Sequence, residues 1–145
     1  MVQNLSVNNM KDIKVDKRLI HNLVKKLSEE LKFKIAGIQI NFVNSDEIMR
    51  INREYLNHNF STDVITFDYS GSQTALDGEI YISVDVAASN AKRYRISLKK
   101  EIIRLIIHSF LHLLGFDDQS QKEKTVMKKL ENKLFSKYSL LIKGS

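Results

Sequence analysis

The sequence has no cysteine, no proline and no tryptophan, and only five glycines in 145 residues. Without cysteine there are no disulfides and no thiolate metal ligands, so a strong metal site must be built from His, Asp and Glu. The same absence fits a reducing cytosol, and a cytoplasmic location is expected. No apolar run reaches the roughly eighteen residues that a membrane-spanning helix needs. The first residues, MVQNLSVNNMKDIKVD, lack the apolar core of a signal peptide. Repeats, low-complexity tracts and linkers are missing as well, so a single domain over 1–145 is expected, long enough to bury a core. Acidic residues are outnumbered: 23 Lys and Arg against 17 Asp and Glu give a net charge of +6. That balance suits an anionic partner such as nucleic acid.

The longest apolar stretch carries the chemistry. Ile102 to Asp118 reads IIRLIIHSFLHLLGFDD. With no Pro or Gly before Gly115, it predicts a helix buried on most sides. Residues four apart share a helix face, so His108 and His112 present two imidazoles side by side. Gly115 can take the left-handed conformation that ends helices. The turn it allows can bring Asp118 over the same face. Two imidazoles and a carboxylate, with a fourth position for water, are the pattern of a catalytic zinc site. The competing reading is a pair of hydrogen-bonded core histidines, since an unsatisfied buried imidazole costs on the order of 1–3 kcal/mol.

The rest of the chain predicts helix, strand, helix, strand, strand, helix, helix, helix. Leu19, Ile20, Leu23, Val24, Leu27 and Leu31 lie at helical spacing, and His21, among polar neighbours, reads as a surface residue. Ile38, Ile40 and Phe42 alternate with Gln39 and Asn41 as in a half-buried strand. Ser45 is the expected N-cap of a helix reaching about Asn57. His58 to Ser61 reads as a loop, Val64 to Tyr69 as a strand, Ser70 to Gln73 as a turn, and Glu79 to Val84 as the second strand of a hairpin. The first two strands, joined through a helix, can pair in parallel. Asp85 to Tyr94 favours helix, with Val86, Ala87, Asn90 and Ala91 inward. Ser97 can cap the histidine helix. Ser120 with Glu123 forms a capping box for a last helix with Val126, Met127, Leu130 and Leu134 inward. The expected fold is α/β (α+β): a small mixed sheet of four or so strands covered by about five helices.

Two known patterns share the motif HSFLHLLGFDD. His108, His112, Gly115 and Asp118 match the offsets of metzincin peptidases, but Ser109 stands where a peptidase needs Glu as general base. The second pattern covers more. The sequence resembles the YbeY family of bacterial endoribonucleases, with the hallmark H-G-x-L-H-L-x-G-Y-D-H. His108, Leu111, His112, Leu113, Gly115 and Asp117 match it, with Phe116 for Tyr. Ile51-Asn52, Tyr55, the run Ser61 to Phe67, the run Gly78 to Ser83, Met127 and Leu130-Glu131 also look like that family. The resemblance spans roughly residues 37 to 135.

This resemblance implies a zincin-like metal helix and one Zn2+ on His108, His112 and Asp118. It implies single-strand-specific, metal-dependent endoribonuclease activity in 16S rRNA 3′-end maturation and ribosome quality control. The implied partners are ribosomal RNA and the small subunit, with no membrane and no DNA. Three departures stand out. Asp118 occupies the position of the usual third His; it still binds zinc through oxygen, but opens the site to other, harder divalent ions. Ser109 replaces Gly. Leu56 stands where an Arg is common, which passes phosphate binding to Arg53, one turn earlier. Asp117 is either an orienting carboxylate or a turn residue. Lys92, Arg93, Arg95, Lys99, Lys100 and Arg104 are candidates for an RNA path, of which only some can face the site. No general base can be named from the residues. Besides the nuclease, two alternatives stand: a metallopeptidase, and a non-catalytic ribosome-associated factor with a structural metal.

Overall fold

The computed structural model describes residues 1–56, 62–72 and 74–141. Strands β1 (Leu5–Asn9), β2 (Lys34–Val43), β3 (Val64–Asp68) and β4 (Ala75–Ser83) form one sheet in the order β1-β2-β4-β3. β1, β2 and β4 are parallel, and β3 runs antiparallel to β4 along the edge. The helices are α1 (Lys17–Leu31), α2 (Ser45–Leu56), α3 (Val84–Tyr94), α4 (Leu98–Leu113) and α5 (Gln121–Tyr138), followed by a short 3-10 turn. The expected hairpin is β3–β4. The parallel partner of β2 is β4 rather than β3, because β3 turns back to the outer edge. β1 was not foreseen. Only Leu5 and Val7 of its five residues are buried, too few for a clear strand pattern.

Local chemistry sets the helix ends. Asp16 accepts the amides of Arg18 and Leu19, so α1 begins at Lys17. The cap of α2 is Asn44, not Ser45. Asn44 Oδ1 accepts the amide of Glu47 at 2.9 Å, while the Ser45 amide donates to Asp85 and ties α2 to α3. Ser83, Ser97 and Ser120 cap α3, α4 and α5 through their hydroxyl oxygens. The expected end of α2 near Asn57 and the loop from His58 to Ser61 lie outside the described residues, as does Gln73.

One face of the sheet, with Ile38, Ile40, Phe42, Ile80 and Ile82, packs against α1 and α4 in the main core. α2 covers part of the other face through Val43, Ile48, Ile51 and Ile65. α4 runs through the centre, touching α1, α3, α5, β3 and β4. Ten of its sixteen residues are buried, as its long apolar sequence requires. α5 lies on α4 through Met127 and Leu134. Val126, expected inward, is 50% exposed; its neighbour Met127 is buried, and Glu131, one turn further along α5, is buried with it. Val86 is only half-buried on α3. His21 is buried, not at the surface, because the chain start folds over α1 and Val2 donates its amide to His21 Nδ1. No helix among the described residues is long and apolar enough to cross a membrane.

Candidate metal centre

The histidine pair forms as the spacing requires. His108 and His112 lie on the last turns of α4, their ring centroids 4.6 Å apart. Their Nε2 atoms face each other at 3.1 Å. Two nitrogens bound tetrahedrally to one zinc at about 2.0–2.1 Å stand roughly 3.3 Å apart. The pair therefore fits two positions on a single ion.

The end of α4 is set by Gly115. The Gly115 amide donates to His112 O and the Phe116 amide to Leu111 O, both at 3.0 Å. Gly115 sits at φ 98°. This is a Schellman ending, and only glycine enters that conformation without strain. Beyond it the chain leaves in irregular form, and Asp118 donates its amide to Asp117 Oδ1.

Two cavities meet at the histidines. One, of about 460 Å3, lies between α4 and α5 and is lined by His108, Asp118, Arg104, Lys124, Lys128 and Glu131 among others. The second, of about 300 Å3, lies between α4 and β3 and is lined by Val64, Thr66, Asp68, His108, His112 and Leu113. His108 belongs to both.

Burial lowers the pKa of His112, and the neighbouring His108 lowers it further, against smaller opposing effects of Asp118 and Asp117. His112 is thus held neutral, the form that ligates metals. His108 is fixed from behind. Its Nδ1 meets Glu131 Oε1 at 2.5 Å. Glu131 is 2% exposed and takes Arg104 at 3.4 Å and Lys128 at 3.2 Å on its other oxygen. Burial opposes ionisation of Glu131, but His108 and Lys128 outweigh it and hold the carboxyl down at about 2. Arg104 is itself gripped by Glu101, which is fully buried, through contacts of 2.8 and 2.6 Å.

Not every expected residue joins the pair. Asp118 lines the larger cavity with His108 and is exposed, with no ion pair among the described residues. No three His, Asp or Glu side chains among the described residues are grouped tightly enough to hold an ion. The irregular segment that follows the Schellman turn leaves Asp118 on the cavity wall. Asp117 lines a separate hollow with Gly115, Lys122 and Val126, and its carboxylate accepts the Asp118 amide. Arg53 is exposed on α2 and lines neither cavity. Of the basic residues expected along an RNA path, only Arg104 reaches the site, and its charge is committed to Glu101 and Glu131. The other cations that line the cavity come from α5: Lys124, Lys128 and Lys129. Ser109 points into the core and donates to Leu105 O at 2.9 Å. It cannot act where a peptidase carries its general base.

The profile of the family described as Endoribonuclease YbeY matches residues 4–139. The chain belongs to the YbeY endoribonuclease family. It is 41% identical to Endoribonuclease YbeY of Chlorobium limicola over 107 residues, 74% of each chain. It is 36% identical to that of Chlorobium phaeobacteroides over 132 residues, 90% of this chain and 92% of the relative. Among solved structures, TM1509 from Thermotoga maritima aligns with a TM-score of 0.63 at 25% identity, covering 93% of this chain and 91% of that one. The YbeY match extends the resemblance to the N-terminal strand and α1. The carboxylate behind His108 comes from Glu131 on α5. Glu131 was missed as a site residue because a Glu in the lysine-rich run KKLENK reads as a solvated helix face.

Proposed function

We propose that this YbeY-family endoribonuclease cleaves single-stranded RNA in the cytosol, ribosomal RNA of the small subunit included. We further propose that it uses one divalent ion, Zn2+ or a harder ion admitted by Asp118. His108 and His112 would hold the ion, with Asp118 as third donor from the cavity wall. The observation that carries this is the pair of Nε2 atoms facing each other at 3.1 Å where two cavities meet. When bound, such an ion activates water at neutral pH or polarises a phosphoryl oxygen.

The chain's own residues have separable tasks. His112 stays neutral because it is buried beside another imidazole. Asp118, exposed on the cavity wall that His108 also lines, would serve as a ligand. Lys124 and Lys129 bring positive charge to the cavity that His108 shares, and Lys128 divides its charge with Glu131. They suit the phosphates of a strand laid along α5. Arg53, exposed on α2, would reach only a longer strand. The open cavities favour catalysis over a structural metal, whose four ligands close the site. The buried Ser109 argues against a peptidase.

The test is metal analysis of the purified protein together with cleavage of a single-stranded RNA, with and without chelator. One ion per chain is expected, with cleavage lost on chelation and restored by added metal. Asp118→Ala should weaken metal binding and cleavage together, whereas Asp118→His should keep both. Cleavage that persists through chelation, and through His112→Ala and Asp118→Ala, would overturn the proposal.

A further inference from the structure

Behind His108 lies a chain of charges that the metal reading does not require. Glu101, fully buried, holds Arg104 through two contacts of 2.6 and 2.8 Å. Arg104 reaches across to Glu131 on α5 at 3.4 Å, and Lys128 meets the same oxygen at 3.2 Å. These contacts leave the other oxygen of Glu131 aimed at His108 Nδ1, at 2.5 Å. A carboxylate gripped on one side cannot swing away from the imidazole.

We propose that Glu131 is a positioning residue, holding His108 as the Nδ1–H tautomer and so turning its Nε2 lone pair toward the point that His112 also faces. An ionised carboxylate only accepts hydrogen bonds, so the proton between the two groups belongs to His108 Nδ1. In a neutral ring the other nitrogen is then bare. That bare nitrogen is His108 Nε2, 3.1 Å from His112 Nε2. The ring could otherwise turn over or carry its proton on the nitrogen that faces the cavity. Carboxylate partners of this kind fix the orientation and raise the basicity of ligand imidazoles, and their loss lowers metal affinity by about 10- to 100-fold. The metal arm of this inference rests on the proposed function; the tautomer arm does not.

The test uses the metal-free full chain above the titration range of histidine, where nitrogen-15 NMR reads each imidazole tautomer. Wild type should show His108 as Nδ1–H. Glu131→Gln keeps an accepting oxygen and should keep that tautomer. Glu131→Ala should release it, so that His108 carries its proton on Nε2 in a large fraction of molecules. Glu131→Met, of similar length but without a strong acceptor, replaces the Ala variant if that one fails to fold. Zn2+ affinity, measured by competition with a chromophoric chelator, should fall about 10- to 100-fold in the Ala or Met variant and less than about tenfold in the Gln variant. A wild-type His108 protonated on Nε2, or an unchanged tautomer without the carboxylate, would overturn the assignment. Equal Zn2+ affinity in all the proteins would overturn its bearing on the ion. If wild type binds no Zn2+, the metal reading fails, and the tautomer alone decides the role of Glu131.

Discussion

Inside the fold, the Nδ1 of His21 accepts the Val2 amide at 3.2 Å while the ring is 7% exposed. Burial lowers its pKa from 6.5, helped by the positive amino terminus. The sign follows directly. The unfolded chain binds a proton at higher pH than the folded one does, so this group costs stability as pH falls below about 6.5 and costs nothing above it. Protonation also adds a hydrogen to the nitrogen that Val2 needs. Replacing His21 with Asn keeps an acceptor but removes the titration. Its unfolding free energy should therefore fall less steeply than that of wild type between about pH 6.5 and pH 5. Parallel slopes in urea melts over that range would count against a buried, neutral His21. Polar neighbours in sequence concealed this residue. Burial of His21 depends on β1 and the chain start lying over α1, a contact between distant segments that helical spacing does not reveal. Glu131 was hidden for the same reason, since the lysines around it mark an exposed face while its own position faces α4.

At the scale of elements, the histidine helix was the most legible part, because its capping serine, apolar length and terminal glycine all point the same way. The strand β3 shows what local pattern leaves out. Its Val64, Thr66 and Asp68 wall one of the two cavities at the histidines. Its position depends on Gly78, opposite Asp68 on β4. A Cβ on Gly78 would stand 2.2 Å from the carbonyl oxygen of Phe67, a backbone atom that cannot rotate away. Gly78→Ala must push β3 outward. We expect destabilisation of roughly 1–3 kcal/mol, with RNA cleavage lowered further than the loss of folded protein explains. Urea titration and activity per folded molecule separate the two effects. The role of Gly78 becomes visible only once the β3–β4 register is known. Asp118 is the converse case: its spacing from the histidines suits a ligand, yet the backbone after Gly115 sets it on the cavity wall.

For the whole molecule, a net charge of +6 makes RNA affinity fall with salt. The distribution of that charge is more informative than its total. The basic residues near α3 lie away from the histidines, whereas Lys124 and Lys129 on α5 line the cavity. Lys124→Glu should weaken RNA binding and flatten the plot of log affinity against log salt by about one unit of slope or somewhat more. Lys92→Glu, on the exposed end of α3, should do much less. Equal effects from the two reversals, in filter-binding titrations across salt, would place the strand elsewhere.

The two cavities also bear on where along a strand the cut can fall. His108 stands between them, with α5 on one side and β3 on the other. A blind pocket would admit only a terminus. A site open in both directions lets a polymer lie across it with nucleotides continuing both ways, so neither a free 5′ nor a free 3′ end is needed. Covalently closed single-stranded RNA circles should therefore be opened at a rate comparable to that for the linear form of the same sequence, and the first product on a denaturing gel should be the full-length linear strand. Circles that stay intact while linear strands are trimmed nucleotide by nucleotide would mean that one of the two openings is closed when RNA binds.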